Sequence, residues 1–146
     1  GKTAEAEKAL EQTIKKTIPH QPIYWRARRM RGVALLELKQ YEKAVKEFSL
    51  ITKRKFDSKD LNYQWLKYCF YMLGKALNEL QRFGEASKSL EKALEIESDK
   101  KVVTNDEILL LKGEILKSLG DNNYLKVWKK AEEMGNKKAG SLLKAL

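Results

Sequence analysis

Residues 32–51 read GVALLELKQYEKAVKEFSLI, and residues 74–93 read GKALNELQRFGEASKSLEKA. From Gly32 the pattern runs Tyr41, Ala44, Phe48, Ile51; from Gly74 it runs Phe83, Ala86, Leu90, Ala93. Aromatic, alanine and large apolar residues thus recur at the same offsets behind a glycine that sits inside an apolar helical run. A mid-helix glycine costs about 1 kcal/mol relative to alanine. One that recurs in register therefore predicts a close helix crossing where no side chain fits. Gly113 opens a third run of the same kind, with Gly120 at the matching inter-helix turn. There Tyr124, Trp128 and Ala131 fit the pattern on the reading that the turn is one residue shorter.

These offsets and residue types resemble the tetratricopeptide repeat, a pair of antiparallel helices in which the small residue of the first helix meets the second. The resemblance is closest in Gly32–Ile51 and Gly74–Ala93. The closing stretch Lys129-Lys130-Ala131-Glu132-Glu133-Met134-Gly135-Asn136, followed by Ala139 and Leu142, is similar to the related Sel1-like repeat. Spacing departs from the family: Gly32 to Gly74 is 42 residues and Gly74 to Gly113 is 39, against a period of about 34. The surplus has to lengthen helices or connections. The resemblance implies an all-α, right-handed solenoid of about three helix hairpins, at about 22–56, 59–98 and 104–135. A further N-terminal helix precedes them and a short C-terminal helix closes them. The chain is expected to be one domain and a piece of a longer protein, with partial repeats at both ends.

Local chemistry sets the helix limits. A first helix is expected from Thr3 to about Thr17, stopping at Ile18-Pro19-His20-Gln21-Pro22. Pro22 suits the first turn of a second, running to about Leu38. A third spans Tyr41 to about Lys53. Phe56-Asp57-Ser58-Lys59-Asp60 offers N-caps for a long helix ending near Leu80, which absorbs part of the excess spacing. The next runs from about Phe83 to Glu97, followed by a polar connection Ser98-Asp99-Lys100-Lys101. Thr104-Asn105-Asp106-Glu107 has capping-box form and starts a helix ending at Gly120. Two shorter helices, near 123–134 and 137–145, flank Gly135 as a left-handed C-cap.

Composition agrees with a helical solenoid and narrows the function classes. No run reaches the roughly 18 apolar residues of a membrane span. The single cysteine, Cys69, excludes an internal disulfide framework and a cysteine-based zinc cage, and leans towards a reducing, cytoplasmic setting. The lone histidine, His20, lies between prolines without a predictable partner. No catalytic or metal constellation is read, and no cofactor is expected. Gly1-Lys2-Thr3 has the ending of a phosphate-binding loop but neither the strand nor the first glycine that would make it one.

Function then rests on surfaces. In the resembled family the first helices of successive repeats line a groove that receives a peptide. Carrying the groove-facing offsets across gives Arg26, Arg29, Val33 and Leu36, then Tyr68, Tyr71, Lys75 and Asn78, then Glu107, Leu110, Glu114 and Lys117. This series is basic, then aromatic, then acidic, and suits an acidic or C-terminal peptide with an apolar anchor on Tyr68 and Tyr71. The carboxylate clamp of chaperone-binding members is not matched: Val33 and Met72 stand where it needs asparagines, and Glu107 and Leu111 where it needs cations. Arg29 alone remains to pair a carboxylate.

The competing reading is a nucleic-acid-associated repeat. Net charge is +10, with residues 1–60 carrying 15 basic against 8 acidic side chains. Arg26, Arg28, Arg29 and Arg31, with Lys53, Arg54 and Lys55, form a basic cluster beside Tyr24 and Trp25, able to hold phosphates and stack a base. Arg28 and Arg31 fall at offsets usually buried, so they are expected to pair with acidic residues of the first helix, such as Glu7 or Glu11. Self-association through apolar end faces around Leu142, Leu143 and Leu146 is the remaining expectation.

Overall fold

The computed structural model describes residues 1–98 and 102–146. Among them run eight α-helices: α1 (Lys2–Lys16), α2 (Pro22–Glu37), α3 (Tyr41–Lys53), α4 (Leu66–Glu79), α5 (Phe83–Glu95), α6 (Asn105–Ser118), α7 (Tyr124–Glu133) and α8 (Lys137–Lys144). Consecutive helices pack on one another along the chain, and α4 also meets α2 and α6. This is an all-α helical repeat solenoid. The main core gathers Leu35, Phe48, Cys69, Leu73, Leu77, Leu90, Ile108 and Ile115, while Leu109, Trp128, Ala131 and Ala139 form a second cluster under α8.

Each repeated glycine marks the point where two helices touch. A Cβ on Gly32 would lie 2.7 Å from Phe48 Cζ, one on Gly74 2.7 Å from Leu90 Cδ2, and one on Gly113 2.1 Å from Trp128 Nε1. The α2–α3 and α4–α5 turns share one geometry. Lys39 and Gln81 adopt left-handed backbones (φ 60° and 59°), and the next amides, Gln40 and Arg82, reach back to the carbonyls of Leu35 and Leu77. Gly120 (φ 73°) does the same work after α6, with the Asp121 amide on Leu116. Left-handed φ disfavours residues with a Cβ, so two of the three turns carry a cost that the helix contacts offset.

One expectation is met in register and three are corrected. First, the third pair is one residue shorter, as expected: Gly113 meets Trp128, whereas Gly32 meets Phe48 and Gly74 meets Leu90 one position further on, although the non-helical stretch Leu119–Asn123 is longer than Leu38–Gln40. The indole of Trp128 also donates to the Leu110 carbonyl at 3.1 Å. Second, the long helix before Leu80 does not start at Asp57–Asp60. Those carboxylates accept amides two residues on, from Lys59 (2.9 Å) and Asn62 (2.8 Å), which locks turns. A 3-10 turn at Tyr63–Trp65 follows before α4 begins. Third, α5 stops at Glu95 rather than Glu97. The buried Lys67 ammonium lies there, donating to the carbonyls of Ala93 (2.9 Å) and Ile96 (2.7 Å). Fourth, Arg28 pairs with α3 rather than α1, as described below. The expected capping box is formed, with the Thr104 amide donating to Glu107 at 2.9 Å, and Gly135 is left-handed at φ 96°. Of the expected polar connection, residues 99–101 lie outside the described residues.

Candidate functional site

Four arginines within six residues of α2 go to different places. Arg28 Nη1 donates to both carboxylate oxygens of Glu47 (2.9 and 2.8 Å), and its Nη2 donates to the Tyr24 hydroxyl (2.9 Å). Arg31 bridges Glu47 (2.7 Å) and Glu7 (2.7 Å), tying α1, α2 and α3 together. Glu47 is only 4 % exposed, so this is an interior network. Of the two partners expected on the first helix, Glu7 is engaged by Arg31, whereas Glu11 pairs with Lys15. The pair Arg28–Glu47 escaped notice because Glu47 reads as a solvated glutamate between Lys46 and Phe48.

The basic cluster therefore does not form one surface. Arg28 and Arg31 are neutralised inside the fold. Arg54 lies over the Trp25 ring, 4.8 Å from its centroid, and donates to the Pro19 carbonyl at 3.3 Å. Trp25 is buried and donates its indole N–H to the same carbonyl at 2.8 Å. It is packed edge-on to Tyr24 and Phe56, so no face is offered to a base. Arg26, Lys53 and Lys55 remain exposed.

Two neighbouring depressions lie along α2, one against α4 and one against the segment that precedes it. The central one, about 480 Å³, is lined by Val33, Leu36, Tyr68, Tyr71 and Lys75 from the expected series, together with Glu37, Tyr41, Met72 and Glu79. Tyr68 and Tyr71 are half-buried and pack against the core. Burial raises the pKa of both hydroxyls; Glu107 and Glu114 add to the effect at Tyr71, while at Tyr68 Arg29 opposes it. Lys75 Nζ stands 5.7 Å from the centre of the Tyr71 ring. The second depression, about 410 Å³, is lined by Pro22, Ile23, Arg26, Arg29, Leu61, Asn62 and Trp65. Arg29 lies over the Trp65 ring, with Cζ 3.8 Å from the ring centroid.

The third set lies outside both depressions. Glu107 is held by the capping box, Leu110 packs into the second core cluster, and Glu114 pairs with Lys138 at 4.0 Å. Lys117 stands over the rings of Tyr124 and Trp128, 5.7 Å from each. Asn78 is half-buried and contributes its carbonyl to the α4–α5 turn. Sequence reasoning missed Glu37 and Glu79, although they stand at the same offset behind Gly32 and Gly74. Leu61 and Trp65 carry no such signal, because they belong to the non-repeating segment before α4.

The two depressions thus offer aromatic and aliphatic surface with anionic groups at one and cationic groups at the other, which is chemistry for recognition. Among the described residues no group of three His, Cys, Asp or Glu side chains converges to hold a metal, and no helix is long and apolar enough to cross a membrane. Family models described as tetratricopeptide repeat match residues 1–57 and 68–100. No curated protein matches the chain.

Proposed function

This chain carries tetratricopeptide repeats, and from that premise we propose that it is a non-enzymatic protein-interaction module. In this reading it takes a partner peptide in the groove along α2, α4 and α6, as one segment of a scaffold or adaptor. The observation that carries the proposal is the pair of half-buried tyrosines, Tyr68 and Tyr71, opening on one pocket with Val33, Leu36 and Met72. Half-buried tyrosines with polar tips are the side chains that anchor peptides at low entropic cost. The closing α7–α8 segment is read as Sel1-like and extends the stack beyond the matched residues. Self-association through the α8 end, where Leu146 is exposed, is the remaining surface of this kind. The nucleic-acid reading has less in its favour, since two of its arginines are paired with Glu47 and Glu7 while Arg26, Lys53 and Lys55 stay exposed.

The test is selection from a random ten-residue peptide library displayed between constant flanks. Wild type is compared with the Tyr68→Ala, Tyr71→Ala double variant after circular dichroism has verified its helix content. Recovery of a consensus by wild type that the double variant fails to bind supports the groove. A consensus bound equally by both places recognition elsewhere.

A further inference from the structure

The arginines of α2 differ in how their charge is met. Arg28 and Arg31 have Glu47 and Glu7. Arg29 is as deeply placed, at 9 % exposed, yet among the described residues it makes no ion pair and no hydrogen bond. Its contact is with the face of Trp65. Arg26, one turn earlier, is exposed and likewise has no counter-charge among the described residues, and it pushes in the same direction as burial on Arg29, against protonation. None of the described residues lining the depression they share is acidic.

A desolvated charge without a counter-charge is a costly arrangement. Stacking on an indole recovers part of that cost, and it occupies the guanidinium's face while leaving its donor edges for a planar acceptor. The walls are apolar: Ile23 is half exposed and Leu61 is 70 % exposed. Leu61, Asn62 and Trp65 come from the segment between α3 and α4, the same extra length that breaks the repeat spacing. The surplus residues thus build a wall around the uncompensated arginine. The site also adjoins the central pocket, since Tyr68 lines that pocket and lies within the field of Arg29.

We propose that Arg29, with Arg26 beside it, is a subsite for the side-chain carboxylate of an aspartate or glutamate inside a partner peptide, whose adjacent apolar residue seats on Ile23, Leu61 and Trp65. This rests on the groove reading above and specifies its ligand. A carboxylate flanked by apolar groups matches two guanidiniums between aliphatic walls. A phosphate backbone repeats charge and brings nothing for Ile23 and Leu61 to cover.

The experiment extends the same selection. Because the displayed peptides have constant sequence on both sides, they carry no free terminal carboxylate. Wild type is expected to enrich one Asp or Glu position next to an apolar residue. A synthetic peptide of that consensus, acetylated and amidated, should bind about tenfold or more tighter than its Asn or Gln counterpart. In Arg29→Gln the acid and amide forms should bind equally, the loss of coupling that a merely structural arginine would not produce. Arg29→Lys should fall between, keeping charge but losing the fork. If Arg29→Gln does not fold, the exposed Arg26→Gln carries the same comparison, with a smaller expected loss.

A wild-type consensus without an acidic position overturns the inference, as does an acid preference that survives both arginine variants. An acid preference that disappears in the amidated peptide and returns when the same sequence is synthesised with a free C-terminus assigns the site to a terminal carboxylate and overturns it too. Neutral peptides selected through Tyr68 and Tyr71 would leave the groove reading standing and this one fallen. Failure to recover any peptide would remove both.

Discussion

Gly113 has the tightest crossing in the molecule, because the residue facing it is a tryptophan rather than the Phe48 or Leu90 of the other pairs. Gly113→Ala is expected to cost about 3 kcal/mol in urea denaturation, the upper end for overpacking, since the indole is held by its bond to the Leu110 carbonyl. Gly84 is the opposite case: it is helical, and a Cβ there meets nothing within 4 Å. Gly84→Ala should stabilise by about 0.5 kcal/mol. Equal effects of the two substitutions would contradict the close-crossing account. Cys69 supplies a pH dependence. Burial, partly opposed by Arg29, pushes its thiol up to about 12 from 9.0. The unfolded thiol ionises first, so the stability held by the neutral form is complete below pH 9 and drains as pH rises towards 12. The stability of Cys69→Ala should therefore fall less steeply over that window than that of wild type; parallel curves would show that the thiol contributes nothing.

At the element scale, α1 is fastened by charge as much as by packing. It buries no residue of its own, yet Glu7 meets Arg31, which shares Glu47 with Arg28. Removing the shared anion leaves Arg28 without a carboxylate inside the fold and Arg31 with Glu7 alone, so Glu47→Gln should cost about 3–5 kcal/mol. Glu7→Gln should cost about 1 kcal/mol, because Arg31 keeps Glu47. Denaturant titration of both variants decides between this ordering and a merely superficial network, for which the two would be similar. The helix limits were largely legible in the sequence, since proline, capping-box and glycine signals act within one turn of the chain. The start of α4 was not. Asp57 and Asp60 have the side chains of N-caps, and whether they close a turn or cap a helix depends on what the following residues pack against.

For the whole molecule, stacking makes the ends weaker than the middle. α4 lies against α2, α3, α5 and α6 and buries Cys69, Met72, Leu73, Ala76 and Leu77. α8 buries only Ala139 and Gly140. Amide hydrogen exchange should be slowest in α4 and α5 and fastest in α1 and α8; uniform protection would mean that the stack unfolds as a single unit. The sequence by itself determined the repeat, the helix order and the positions of the three crossings, because glycine, alanine and aromatic spacing is a local code for which helix faces can meet. It also marked Tyr68, Tyr71, Val33 and Leu36 as sharing a surface. Only the tertiary structure decided the fate of the charges. Four arginines alike in sequence became two ion-paired side chains inside the fold, one exposed cation and one guanidinium over Trp65, because their partners Glu7, Glu47 and Trp65 arrive from three different elements. Charge compensation depends on distance in space, and no spacing along α2 encodes it.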